Sequence, residues 1–142
     1  MTTKQIELVK STWVIVALLD PVVVGQLFYN RLFEIAPQVK PMFRSPIEGQ
    51  SKKLVSMIAY IIHKLDKLSE IIGDVRKLAK QHVSYGVEPA HYLVVGNALM
   101  WTLEQGLGKH WNDETREAWV KCYTILSNAM IEAAAEPMAK VA

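Results

Sequence analysis

The sequence has a single cysteine, Cys122, in 142 residues. That excludes an internal disulfide framework and leaves no cysteine cluster to hold zinc. CxxC, HExxH, a glycine-rich phosphate loop and a serine-nucleophile motif are all missing, so hydrolytic and nucleotide chemistry have no support. Long apolar runs are missing too: the stretches 14–19 and 21–24 are interrupted by Asp20 and are too short to span a bilayer. The opening Met1-Thr2-Thr3-Lys4-Gln5 has no charged stretch leading into an apolar core, so no signal peptide is expected. An excess of one charge is also absent. Sixteen Lys and Arg against fourteen Asp and Glu give a net charge of +2, spread without a basic stripe, which offers nucleic acid little to bind. Together these absences predict a soluble cytoplasmic protein with no membrane or nucleic-acid partner.

What is present is an ordinary globular composition, 51% hydrophobic and 21% charged, at a length that suits one domain over residues 1–142. The six prolines and seven glycines punctuate rather than cluster, and no stretch alternates with period two, so the chain reads as all-α. Thr2 and Gln5 are spaced as a capping box for a first helix running to about Leu18. Asp20 before Pro21 opens a second, lasting to about Ile35. Residues 36–46, with three prolines, allow only short helical turns. From Ile47 to about Leu65 the set Leu54, Met57, Ile58, Ile61, Ile62 and Leu65 follows the i, i+3, i+4 rule. A further helix runs from about Ser69 to Tyr85-Gly86, another opens at Glu88-Pro89 and stops at 106–108, and Asn112 caps a last one reaching about Glu136-Pro137.

Three polar side chains interrupt the apolar faces. At about 100° per residue, Gln50 lies within roughly 40° of Leu54, Met57 and Ile61. His82 is in line with Ile71, Val75 and Leu78, and Tyr29 shares its face with Val22, Gly25, Leu32 and Phe33. Taken singly, each reads as a core polar residue satisfied by its neighbours. On three separate helices, an imidazole opposed by two hydrogen-bond donors also matches what a haem iron with a diatomic ligand requires. His63 lies about 220° from Gln50 on its helix and reads as a solvent-side residue. His91 and His110, near helix boundaries, are expected to be exposed.

The segments Leu27-Phe28-Tyr29-Asn30-Arg31-Leu32-Phe33, Val39-Lys40-Pro41-Met42-Phe43, Gln50-Ser51-Lys52-Lys53-Leu54, Gln81-His82-Val83, His91-Tyr92-Leu93-Val94-Val95-Gly96 and Glu117-Ala118-Trp119-Val120-Lys121-Cys122-Tyr123 resemble bacterial single-domain globins and the globin domain of flavohaemoglobins, in order and spacing. The resemblance implies a three-over-three helical sandwich around haem b, since no CxxCH is present for covalent attachment. It implies His82 as the proximal iron ligand, Phe43 stacked on the porphyrin, and Tyr29 and Gln50 as distal donors to a bound ligand. Leu54, Met57, Ile58, Leu78, Val87, Tyr92, Val95 and Leu99 would wall the pocket, and Lys53 and Tyr85 would reach the haem propionates. Gly25 and Ser51 fit the crossing of the second and distal helices, where bulk would hold the backbones apart.

O2, NO and CO are the implied ligands. Nitric oxide dioxygenation is the implied activity, with electrons from a separate reductase because the sequence ends before a flavin domain. In one place the chain departs from flavohaemoglobins: Ala134 stands where they carry a glutamate near the proximal histidine, and Glu132 and Glu136 are two positions away. That departure argues against peroxidase-like chemistry. An enzyme with a borrowed reductase and an O2 carrier, store or sensor both stay open, and a haem-free interaction domain is disfavoured by His82 and Phe43.

Overall fold

The computed structural model describes residues 1–135. Six α-helices follow one another: α1 (Thr3–Ala17), α2 (Pro21–Ile35), α3 (Ile47–His63), α4 (Ile72–Ser84), α5 (His91–Leu107) and α6 (Asp113–Ala134). Short 3₁₀ segments at Pro37–Met42, Leu65–Glu70 and Gly108–His110 connect them, and no strand occurs among the described residues.

The helix starts are chemically specified. Thr2 and Gln5 exchange both capping-box hydrogen bonds, at 2.9 and 3.1 Å. Asp20 Oδ1 accepts from the Val22 N–H at 2.9 Å with Pro21 at the first helical position, and Asn112 Oδ1 accepts from the Thr115 N–H at 2.9 Å. Two starts differ from the sequence reading. Residues 65–70 form a 3₁₀ helix with a kink at Lys67, so α4 begins at Ile72 rather than near Ser69. Glu88-Pro89 belongs to a turn, not to α5. The Glu88 N–H donates to His91 Nδ1 at 2.9 Å, which closes that turn and starts the helix at His91. The end expected for the last helix, Glu136-Pro137, lies outside the described residues.

The helices form two layers of three, with α1, α3 and α4 against α2, α5 and α6. α2 packs on α3 and α5, α1 on α6, α3 and α5, and α4 on α6. One core cluster joins Val9, Trp13 and Val16 of α1 to Leu103, Leu107, Trp119 and Cys122. Within it the Trp119 indole N–H donates to Thr12 Oγ1 at 2.9 Å, while the Thr12 hydroxyl donates to the Leu8 carbonyl at 2.6 Å, so the buried polar atoms are matched. A second cluster gathers Phe28, Tyr29, Leu32, Val39 and Ala98, with Phe43, Leu54, Val95 and Leu99 packed against it.

The α2–α3 crossing depends on one glycine. A Cβ built on Gly25 would meet the Ser51 side chain and come within 2.6 Å of Ser51 Cα, and Ser51 is itself fully buried. Backbone cannot yield cheaply, so Gly25→Ala is expected to destabilise the protein by about 1–3 kcal/mol. Gly49, with nothing within 4 Å of its virtual Cβ, is the control. Gly49→Ala should stabilise by about 0.5–1 kcal/mol through helix propensity. Urea unfolding of both variants checks this, and equal midpoints would refute the crossing argument.

Candidate functional site

α3 and α4 share a layer but pack little on each other, and α4 packs little on α5, which leaves room for a slot among the three. α4 is held by α6 and by the 3₁₀ segment before it, and it packs extensively on neither α3 nor α5. A hydrogen bond from the Tyr60 hydroxyl to Asp74 Oδ2, at 2.8 Å, ties α3 to α4 at one end. Ile71 at the N-cap of α4 and Val75 and Ala79 within it are buried, whereas Leu78 and His82 stay half-buried, as do Leu54, Met57, Ile58 and Ile61 of α3 and Tyr92, Val95 and Leu99 of α5. Apolar side chains left half-covered on three facing helices are what a flat apolar group inserted between them would bury.

On the α2 side, Tyr29 is 4% exposed. Its ring is fixed by three phenylalanines: Phe28 edge-on at 5.0 Å, Phe33 stacked at 6.0 Å and Phe43 edge-on at 5.2 Å between centroids. Burial pushes its phenol up to about 12, so it is a hydrogen-bond donor at neutral pH. Yet that hydroxyl bonds to no described residue, and it is not among the sealed polar atoms that would need a partner inside the protein. It therefore opens onto space from a buried ring, ready for a partner the chain itself does not supply. Gln50, in the first turn of α3, is half-buried with its amide likewise unbonded among the described residues.

On the α4 side, His82 Nδ1 lies 2.8 Å from the Leu78 carbonyl oxygen. A carbonyl only accepts, so in the neutral ring Nδ1 carries the proton and the lone pair is on Nε2, the form that ligates a metal. The Val87 N–H donates to the His82 carbonyl at 3.0 Å, fixing the chain as it leaves the helix. Gly86, at φ +88°, makes that exit in a conformation that favours glycine. Lys53 and Tyr85 are exposed to solvent. His63 and His110 are exposed as expected; His91, expected exposed, is half-buried and serves as the turn closure described above.

Ala134 is half-buried on α6 and Glu132 is exposed, so among the described residues the imidazole has a neutral carbonyl and no carboxylate as its partner. Tyr123 was not foreseen as a site residue. Its hydroxyl donates to the Tyr92 carbonyl at 2.6 Å, and its Cε2 would stand 2.6 Å from a Cβ on Gly96, so α6 clamps the start of α5 beneath the slot. The signal available in the sequence was Gly96, a mid-helix glycine that needs a close neighbour to explain it.

An unpartnered phenol on a buried ring, an imidazole with no described partner at Nε2 and half-covered apolar side chains on α3, α4 and α5 suit a helical protein that encloses a flat apolar group. The globin family model matches residues 26–130, and the chain belongs to the globin family. It is 29% identical over 135 residues to a flavohemoprotein of Vibrio cholerae, covering 93% of this chain and 34% of that one. It is 33% identical over 107 residues to a flavohemoprotein of Oceanobacillus iheyensis, covering 73% of this chain and 26% of that one. The chain thus spans about a quarter to a third of the length of these relatives. A bacterial globin from Campylobacter jejuni superposes with a TM-score of 0.80 at 25% identity, covering 94% and 96% of the two chains. An engineered carbene transferase from Rhodothermus marinus superposes at 0.87 with 22% identity, covering 99% and 98%, a likeness of fold.

The buried groups also set an alkaline limit. Folding holds the Tyr29 phenol and the Cys122 thiol neutral up to about 12, against 10.0 and 9.0 when exposed, and burial raises Tyr123 as well. Because the folded-state values are raised, this contribution is fully present below about pH 9 and is lost as pH rises toward 12, where the unfolded chain ionises first. Stability should fall by about 1.4 kcal/mol per pH unit for each such group once its unfolded form ionises. Urea midpoints across the range from pH 8 to 11 test it; a flat profile would show that these groups are not held neutral.

Proposed function

We propose that the chain is a single globin domain over residues 1–142 that holds one b-type haem through His82 Nε2 and binds O2, NO and CO on the opposite face. What supports this reading is the Tyr29 hydroxyl, carried on a buried ring and bonded to no described residue, together with an imidazole whose Nδ1 is engaged and whose Nε2 has no described partner. Bound ferrous haem supplies reversible coordination of a diatomic ligand and, with O2, NO and an electron each cycle, conversion of NO to nitrate. Phe43, whose ring meets Tyr29 and Phe33 edge-on, would stack on the porphyrin. Leu54, Met57, Ile58, Leu78, Val87, Tyr92, Val95 and Leu99 would exclude water from the group, and the exposed Lys53 and Tyr85 would hold its propionates. Tyr29 and Gln50 donate to a ligand bearing partial negative charge and hold it.

The physiological role that fits is nitric oxide dioxygenation with electrons from a reductase, the activity associated with flavohaemoglobins. One observation favours reversible binding over peroxide chemistry. The His82 Nδ1 proton goes to a neutral backbone carbonyl, so the ring gains no imidazolate character from it. An O2 carrier or sensor uses the same residues without turnover. Visible spectra of the purified protein, with and without dithionite and CO, test the haem reading. Consumption of NO in the presence of O2 and a reductant, with nitrate as product, separates dioxygenase from carrier; NO consumption no faster than with the cyanide-blocked protein would leave the carrier.

A further inference from the structure

Two surface hollows lie away from the slot. One, between α5 and α6, has nothing to say what covers it. The other, of about 520 Å³, lies on the outer face of α4 and is lined by Gly73, Arg76, Lys77, Lys80, Gln81 and Ser84. Lys77 and Lys80 are exposed and hold no carboxylate among the described residues. The single carboxylate of α4, Asp74, accepts from the Tyr60 hydroxyl instead. Lys77 and Lys80 stand three residues apart on one helical face, a spacing at which like charges destabilise a helix. A positive cluster has been gathered against local preference, with the small residues Gly73 and Ser84 leaving the hollow open at its ends.

Beside the cations runs an apolar stripe. Ile72 and Val83 are 47% and 49% exposed and, eleven residues apart, fall within about 20° of each other on the helix. Apolar contacts flanked by cations suit a protein partner with an acidic rim. They suit an anionic membrane less, because two branched side chains without an aromatic anchor insert poorly. Lys77 and Lys80 point about 140° and 160° away from His82 around the helix, so a partner seated there is separated from the imidazole side by one helix thickness, roughly 10 Å.

We propose that this face of α4 docks the acidic surface of an electron-donating protein, which resting on the haem reading above makes α4 both the iron-ligand helix and the reductase-facing helix. Steering by such a patch raises association rates by roughly ten- to a thousandfold at low salt. The test is reduction of the ferric haem-loaded protein by photoreduced flavodoxin, an acidic flavoprotein probe, at low and physiological ionic strength. A parallel titration measures its Kd. The Lys77→Glu/Lys80→Glu variant should be reduced at least roughly tenfold more slowly at low salt and lose most of its salt dependence, with its Soret band and CO rebinding unchanged. Lys109→Glu/Lys121→Glu, of the same net charge, should keep the wild-type rate. Equal slowing of both variants, an unchanged rate in the first, or loss only of binding to phosphatidylserine vesicles each overturns the proposal while leaving the haem reading intact. A protein that takes up no haem overturns both.

Discussion

His82→Ala is expected to lose the Soret band of the wild-type protein and to retain haem at least roughly tenfold more weakly, since losing even a residue that merely orients a metal ligand costs about 10–100-fold. The fold should survive. His82 is half-buried, its one side-chain hydrogen bond stays inside its own helix, and alanine is the better helix former. α4 remains anchored by Val75 and Ala79 and by Ile71 at its N-cap, all of them buried. Far-ultraviolet circular dichroism of the haem-free variant should therefore match that of haem-free wild type. What the variant loses is the stability that ligand binding adds by mass action, about 2.7 kcal/mol at a hundredfold excess over Kd. His82→Gly supplemented with free imidazole should recover part of the Soret absorbance, because the slot then admits a nitrogen ligand not tethered to the chain. A His82→Ala protein with the wild-type Soret spectrum would mean that another residue holds the iron.

That His82 stood out before any coordinates is a matter of periodicity. An imidazole in register with Ile71, Val75 and Leu78 violates the apolar stripe of a regular helix, and the same logic found Tyr29 and Gln50. Helix starts were legible wherever a side chain supplies the cap, at Thr2, Asp20 and Asn112. They were misread where the cap is conformational or comes from an unexpected group. The 3₁₀ segment Leu65–Glu70 has an apolar pattern that continues a helix on paper but turns at Lys67, and α5 starts after a turn closed by a histidine ring nitrogen, an acceptor that capping preferences do not weigh. The Gly25–Ser51 crossing was legible through the resemblance, which says which two helices cross, and the contact itself bears it out. The Tyr123 clamp was not, because its partner is the Tyr92 backbone carbonyl and a carbonyl leaves no trace in a sequence. The apolar slot itself depends on which helix pairs fail to pack, a property of the assembled layers and of no single segment.

Tyr29→Phe is expected to speed O2 dissociation by roughly one to two powers of ten, the equivalent of a hydrogen bond to a charged acceptor of about 1.5–3 kcal/mol. The side chain is suited to that role in three ways. Its ring is held by Phe28, Phe33 and Phe43, so the hydroxyl is placed before a ligand arrives and little rotational freedom is lost on binding. Burial raises the phenol to about 12, so it donates throughout the physiological range. No described residue competes for its proton. Gln50 meets none of these conditions as fully: it is half-buried, in the first turn of α3, on a longer side chain that can swing toward solvent. Gln50→Leu should therefore have the smaller effect. Folding stability separates a ligand contact from a structural one. Because the hydroxyl satisfies nothing inside the protein, Tyr29→Phe keeps the ring packing and should leave the unfolding midpoint of the haem-free chain unchanged or slightly raised. Stopped-flow O2 dissociation from wild type and both variants decides the matter. A Tyr29→Phe rate within twofold of wild type, or a Gln50→Leu rate exceeding it, would show that the phenol does not hold the ligand.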